Sequence, residues 1–249
     1  MTSYQPQDGV ILPMFPTLMY KGVLDLDHDL VAESVRKYVA IAKERHGGNS
    51  GMNYTTYFDQ DLRDDMSKLD WFKDFSNKMK DTYISFIKHA YGQEVSYLER
   101  NDIHFFCWAN RYTKDHQHEM HNHVNSYISG TYYVKSGPEC QPIKFLSPSF
   151  YSDFGLQTNA VPKDAGDPEQ LNIGSGLHDS EVHFWPSTGK FLLWPSFMQH
   201  SVPPNDTGDI ADDYERITIS FNFDHARPLF DRKTGDNMKY NFLGETNGR

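Results

Sequence analysis

The sequence predicts a mainly β protein: a sandwich or barrel of short antiparallel strands with α-helices packed at its N-terminal side. Three observations carry that expectation. Helical periodicity is confined to the first 94 residues. From residue 95, short apolar segments follow one another, separated by Pro, Gly, Asn and Asp. No helical pattern intervenes between those segments, as parallel α/β units would need.

The helical part comes first. Leu30, Val31, Ser34, Val35, Tyr38, Val39 and Ala42 recur at three- and four-residue steps, and Gly47-Gly48 stops the run. A second helix is expected from Asp70 as N-cap through Phe72, Phe75, Met79, Tyr83, Phe86, Ile87 and Ala90, ending at Gly92. The intervening GGNSGMNYTTYFDQ reads as loop with a short strand. Strands are expected at Ile103–Asn110, Ser126–Val134, Ile143–Leu146, Val182–Trp185, Lys190–Trp194, His200–Val202 and Arg216–Asp224. The long polar, Gly/Pro-rich stretch 147–181 and the segment 205–215 read as lid or substrate-contacting loops, since structureless loops of such length are usually functional. One domain over 1–249 accounts for the pattern: a helical support region over 1–94, a β core over 95–230 and a tail over 231–249.

Charge narrows the partners. Lys and Arg total 24 against 34 Asp and Glu, a net charge of −10, whereas phosphate neutralisation needs a basic face, so no nucleic acid is expected. Cys107 and Cys140 form neither a disulfide framework nor a paired-cysteine zinc motif, which favours a reducing compartment. The first residues, MTSYQPQDGVILPMF, lack the basic and apolar regions of a signal peptide. No segment approaches about 18 uninterrupted apolar residues, so no membrane span is expected and the cytoplasm is the predicted location. No heptad pattern speaks to oligomeric state.

Four of the twelve histidines fall in HQHEMHNH. His116 and His118 stand among Lys114, Asp115, Gln117 and Glu119 and read as solvated surface. His121 and His123 differ because a strand pattern follows at once. Residues two apart on a strand share a face, so both imidazoles can reach one metal. An apolar run, Phe191 to Trp194, then turns at Pro195-Ser196 and reaches His200, either a third ligand or a barrel cap. Last comes an alternating strand: Arg216, Thr218, Ser220 and Asn222 on one face, Ile217, Ile219, Phe221 and Phe223 on the other. With the polar face inward, Arg216 and its hydroxyl neighbours form a cradle for a carboxylate; with it outward, the segment is an edge strand.

These blocks resemble a known family. The His121-x-His123 pair, Ser129-Gly130-Thr131-Tyr132-Tyr133-Val134, Trp194-Pro195-Ser196 followed by His200, and Arg216-Ile217-Thr218-Ile219-Ser220-Phe221-Asn222 are similar to the Fe(II)/2-oxoglutarate-dependent oxygenase superfamily. The nearer likeness is to its uncharacterised bacterial and phage branch related to prolyl hydroxylases, which also matches Trp108-Ala109-Asn110 and Phe15-Pro16-Thr17. The resemblance implies a double-stranded β-helix (jelly-roll, cupin-like) core and Fe(II) held by His121 and His200. It implies 2-oxoglutarate bound through Arg216 with Thr218, and Tyr132 or Ser126 hydrogen-bonding the same co-substrate. The superfamily's usual H-x-D/E is H-x-H here, so either His123 ligates in a three-histidine site or two histidines and water do. Ligation by His123 is favoured, because a shared strand face directs both rings inward.

The activity so implied is hydroxylation of a C–H bond in an unidentified small molecule or peptide, with release of succinate and CO2. A three-histidine metal dioxygenase that does not use 2-oxoglutarate explains the histidines but leaves Arg216 without a role. A non-catalytic jelly-roll binding protein, or a viral structural protein that kept only the fold, would need neither function.

Overall fold

The computed structural model describes residues 17–47, 53–91, 100–148 apart from 115, 125 and 138, then 181–204, 214–225, 227–230 and 237–240. The expected lid at 147–181 and the hairpin at 205–215 lie almost wholly outside the described residues.

Two helices form largely where the apolar spacing puts them. α1 (His28–His46) starts at Asp27, whose side chain accepts from the Leu30 N–H at 3.1 Å, and ends at Gly47 with a positive φ of 73°. α3 (Asp70–Tyr91) begins with Asp70 inside its first turn rather than as its cap. Between them lies α2 (Gln60–Met66), beyond the expected loop and not predicted from the sequence; Asp59 caps it, accepting from the Leu62 N–H at 3.0 Å. Seven residues are too few for periodicity to declare a helix.

The strands are β1 (Tyr20–Val23), β2 (Tyr54–Thr55), β3 (Ile103–Tyr112), β4 (His118–His121), β5 (Ile128–Lys135), β6 (Ile143–Leu146), β7 (Glu181–Phe184), β8 (Lys190–Pro195), β9 (His200–Val202) and β10 (Arg216–His225). They make a six-stranded sheet in the order β1-β8-β5-β10-β3-β2 and a four-stranded sheet in the order β4-β9-β6-β7, all antiparallel. From β3 to β10 the chain passes repeatedly from one sheet to the other, which is the jelly-roll, double-stranded β-helix arrangement. A separate hairpin pairs β11 (Arg227–Phe230) with β12 (Asn237–Tyr240), inside the stretch read as core end and tail.

Helices cover one face of the large sheet. Ile217, Ile219, Phe221 and Phe223 of β10 are all fully buried there with Val31 and Val35 of α1 and Phe75, Met79 and Tyr83 of α3. Tyr83 stacks on Phe223 with ring centres 4.6 Å apart. Burial of four such side chains stabilises by roughly 1.5–3 kcal/mol each, and a one-residue slip would forfeit all of it, so β10 has a single register. Its other face must then look between the sheets. There a small apolar cluster of Ile143, Phe145, Leu192, Trp194 and Met198 joins the two layers.

An ion cluster fastens α1 to this frame. Glu215, just ahead of β10 and 8% exposed, pairs with Arg36 of α1, with Arg111 Nε of β3 at 2.9 Å and with Lys135 Nζ of β5 at 2.9 Å. Burial would raise its carboxyl, but hydrogen bonds from these three cations outweigh burial and hold it at about 2.

Gly130 of β5 leaves room for the Phe221 ring; a Cβ there would meet that ring and the Leu192 carbonyl oxygen at 2.7 Å. Gly130→Ala is therefore expected to destabilise the protein by about 1–3 kcal/mol in denaturant unfolding, and a silent substitution would contradict this packing. The folded Glu215 carboxyl titrates below its unfolded value of about 4.3, so its stabilisation is complete above that pH and fades as pH falls towards 2. Glu215→Gln should lower stability at pH 7 and flatten the acid limb of a melting-temperature profile between about pH 5 and 2.5. An acid limb as steep as the wild type's would remove Glu215 from the account.

Candidate metal centre and anion pocket

The space between the sheets opens into a pocket of about 460 Å³, its mouth included. The large sheet contributes Trp108 and Tyr112 from β3, Thr131 and Tyr133 from β5, and Arg216, Thr218 and Ser220 from β10. The small sheet contributes His118 and His121 from β4 and His200 from β9, and His123 follows β4.

His121, His123 and His200 each offer a ring nitrogen within 4.8 Å of the others'. His121 faces His200 across the β4–β9 pair. His123 arrives by a different route from the one expected. β4 ends at His121, so the two residues do not share a strand face; His123 lies in the following turn, where its N–H donates to the Ser196 carbonyl at 2.9 Å. The chain bends the third ring inward instead of the pleat.

Hydrogen bonds fix the tautomers. The Nδ1 of His121 lies 2.7 Å from the Glu119 carbonyl oxygen and that of His200 lies 3.0 Å from the Met198 carbonyl oxygen. A carbonyl only accepts, so each Nδ1 carries the hydrogen and each Nε2 keeps its lone pair. His123 Nδ1 donates likewise to Asn222 Oδ1 at 2.6 Å, and Ser129 Oγ donates to the same oxygen at 2.9 Å. The Nε2 atoms of His121 and His123 then stand 3.2 Å apart. Two lone pairs at that separation repel unless a cation lies between them, and nitrogens each about 2.1 Å from one ion at neighbouring positions lie about 3 Å apart. Burial pushes the ring of His200 down to about 2 and that of His123 to about 4, and it lowers His121 as well. All three are neutral at pH 7, the state a divalent metal takes.

Arg216 is 3% exposed. Its guanidinium donates to the Gln141 carbonyl at 3.1 Å and lies 4.0 Å from the centre of the Tyr112 ring, and its Nε is buried without a partner. Among the described residues no carboxylate pairs with it. A buried guanidinium with a spare donor suits an anionic ligand, and the Thr218 hydroxyl, also buried, lines the pocket beside it.

Two residues expected near the co-substrate lie elsewhere. Tyr132 is fully buried on the opposite face of β5, against Phe75 and His28 of the helical layer, with its hydroxyl directed at the Leu24 carbonyl. Strand alternation turns Tyr133, not Tyr132, to the pocket. Ser126 sits behind the site: its hydroxyl donates to Ser196 Oγ at 2.8 Å, which is 2.8 Å from Ser129 Oγ, itself 3.0 Å from His123 Nδ1. His118 and His116 are not solvated surface. A register irregularity in β4 puts His118 and His121 on one face although they are three residues apart, and their rings stack at 4.2 Å. His116 packs edge-on against Tyr54 and accepts from the Thr113 N–H. Asn222, Ser129 and Tyr112 are participants the sequence reading did not assign.

Fold and pocket together define a jelly-roll protein with three imidazoles placed so that they could hold a metal, and with a buried arginine that has a spare donor. Residues 106–222 match the family described as "Putative 2OG-Fe(II) oxygenase". That segment runs from β3 through most of β10, and over it the chain is similar to this oxidoreductase family. Its Fe(II) and 2-oxoglutarate fit the nitrogen donors and the spare guanidinium described above. None of the curated proteins matches. Among solved structures, EvdO2 from Micromonospora carbonacea var. aurantiaca superposes with a TM-score of 0.51 at 11% identity, over 83% of this chain and 86% of that one. A Pseudomonas putida prolyl-4-hydroxylase gives 0.49 at 13% identity over 83% and 92%.

The hydrogen bond from His123 to Asn222 predicts a measurable support role. Calorimetric titration of the metal-free protein with Zn(II) should show Asn222→Ala binding about 10–100-fold more weakly than wild type, with the melting temperature of the metal-free form little changed. Equal affinity would separate Asn222 from metal binding.

Proposed function

We propose that this protein is an Fe(II)- and 2-oxoglutarate-dependent dioxygenase that hydroxylates a C–H bond of a small-molecule or peptide substrate, releasing succinate and CO2. The observation that carries the reading is the meeting, in one pocket, of three convergent Nε2 lone pairs and a buried arginine lacking a carboxylate partner. His121, His123 and His200 hold the iron. Arg216 and Thr218 bind the far carboxylate of 2-oxoglutarate, and Tyr112, its ring centre 4.0 Å from the guanidinium carbon, keeps that fork in place. Iron with its co-substrate supplies O2 activation driven by decarboxylation of the oxo acid. The chain's own part is to orient these groups and to keep water from them with Trp108, Ile143, Trp194 and Val202.

The whole chain is read as one oxygenase domain. No helix of the described residues is long and apolar enough to cross a membrane. Cys107 and Cys140 are both buried and free, in keeping with a reducing compartment such as the cytoplasm. The three-histidine set, with no carboxylate among its donors, favours one other reading: a metal dioxygenase acting directly on its substrate without an oxo acid.

Succinate formation separates the two. Anaerobically purified protein, given Fe(II), 2-oxoglutarate and then O2, should release succinate slowly even without substrate. His200→Ala and Arg216→Ala should each lose that turnover at least about 100-fold. Retention of turnover in Arg216→Ala, or failure of the wild type to bind 2-oxoglutarate, would sink the proposal and leave the direct dioxygenase.

A further inference from the structure

His118 lines the same pocket but stands outside the group of three nitrogen donors. Its Nδ1 lies 3.2 Å from the Tyr112 hydroxyl. Tyr112 is buried, and burial raises its phenol above the ordinary value, so the phenolic hydrogen is present at neutral pH. The Arg216 guanidinium lies over the ring of Tyr112, and among the described residues the one hydrogen-bond partner of the hydroxyl is His118 Nδ1. A buried phenolic O–H needs an acceptor, and His118 Nδ1 is the one within reach, so the hydrogen goes to it. His118 Nδ1 is then an acceptor and its hydrogen sits on Nε2, the reverse of the tautomer held by His121, His123 and His200. A ring in that form has no lone pair free for a metal, but it has an N–H to give.

Its position says to what. The His118 ring is stacked on His121, with an interplanar angle of 13°, while through Tyr112 it touches Arg216. It thus stands between the carboxylate anchor and the metal-binding group. Among the described residues nothing accepts from its Nε2. We infer that His118 is a binding residue for the co-substrate: its Nε2–H donates to an oxygen of 2-oxoglutarate lying between Arg216 and the three imidazoles. Tyr112 is the positioning residue that selects the donating tautomer. The inference rests on the reading of 2-oxoglutarate as co-substrate.

Full-length protein loaded with redox-inert Zn(II) allows two independent readouts. Nitrogen-15 NMR of the histidine rings should find the hydrogen on Nε2 in His118 and on Nδ1 in the three ligands. Titration with 2-oxoglutarate should show His118→Phe binding about tenfold more weakly, with His118→Gln, which retains an N–H donor, within about threefold of wild type. A hydrogen on Nδ1 of His118, or undiminished affinity in His118→Phe, would overturn the inference. Wild-type protein that showed the expected tautomers yet bound no 2-oxoglutarate would overturn the co-substrate reading itself, and the assigned acceptor with it.

Discussion

The two-faced character of β10 is the constraint on which the rest depends. Ile217, Ile219, Phe221 and Phe223 have one place to go, the helical layer, and their burial leaves no freedom in where Arg216, Thr218, Ser220 and Asn222 point. Both ends of the pocket hang from that one strand: Arg216 at the anion end and Asn222 beneath His123 at the metal end. β3 and β5 flank β10 and add residues to the same inward face, Trp108 and Tyr112 from one, Ser129, Thr131 and Tyr133 from the other. The site is therefore a by-product of core packing on the far side of the sheet.

The charges in the pocket bear on which ligand it would suit. Three neutral rings contribute no negative charge, so a divalent metal there keeps its full charge, and Arg216 adds another positive charge from within the same space. The superfamily's usual carboxylate ligand would cancel one unit. With His123 in its place, as proposed, a doubly charged oxo acid would complement the site better than a monocarboxylate. The chain as a whole carries −10, so the pocket around Arg216 is opposite in sign to the net charge.

Much of this was legible in the sequence, for identifiable reasons. The alternation of β10 is strict over eight residues, so period two alone gives its placement and its two faces, while which face turns inward is decided by the helices that bury the apolar one. The N-terminal helices announce themselves through long apolar spacing. What escaped was anything set by irregularity. β4 is four residues long and carries a register shift, so His118 looked like a charged loop residue; the turn that delivers His123 obeys the Ser196 carbonyl rather than a pleat. Tyr132 and Tyr133 are adjacent tyrosines in one motif, and choosing between them needs the phase of β5, which its neighbour Thr131 would have supplied. Asn222 and Ser129 were visible as polar strand residues, but their link to His123 spans 99 and 6 residues of chain and could not be read from either segment alone.

The third imidazole sits on a turn, outside the sheet ladders. A strand residue in a two-faced sheet cannot change character without disturbing partners on both sides. His123 touches the framework through a main-chain hydrogen bond to Ser196 and through side-chain contacts to Asn222, Ser129 and Trp108, of which only the side-chain contacts depend on the residue being histidine. The identity of the residue at this position is thus separable from foldability. Descent could exchange carboxylate for imidazole here, and with it the charge and reactivity of the centre, while the jelly roll went on being inherited intact.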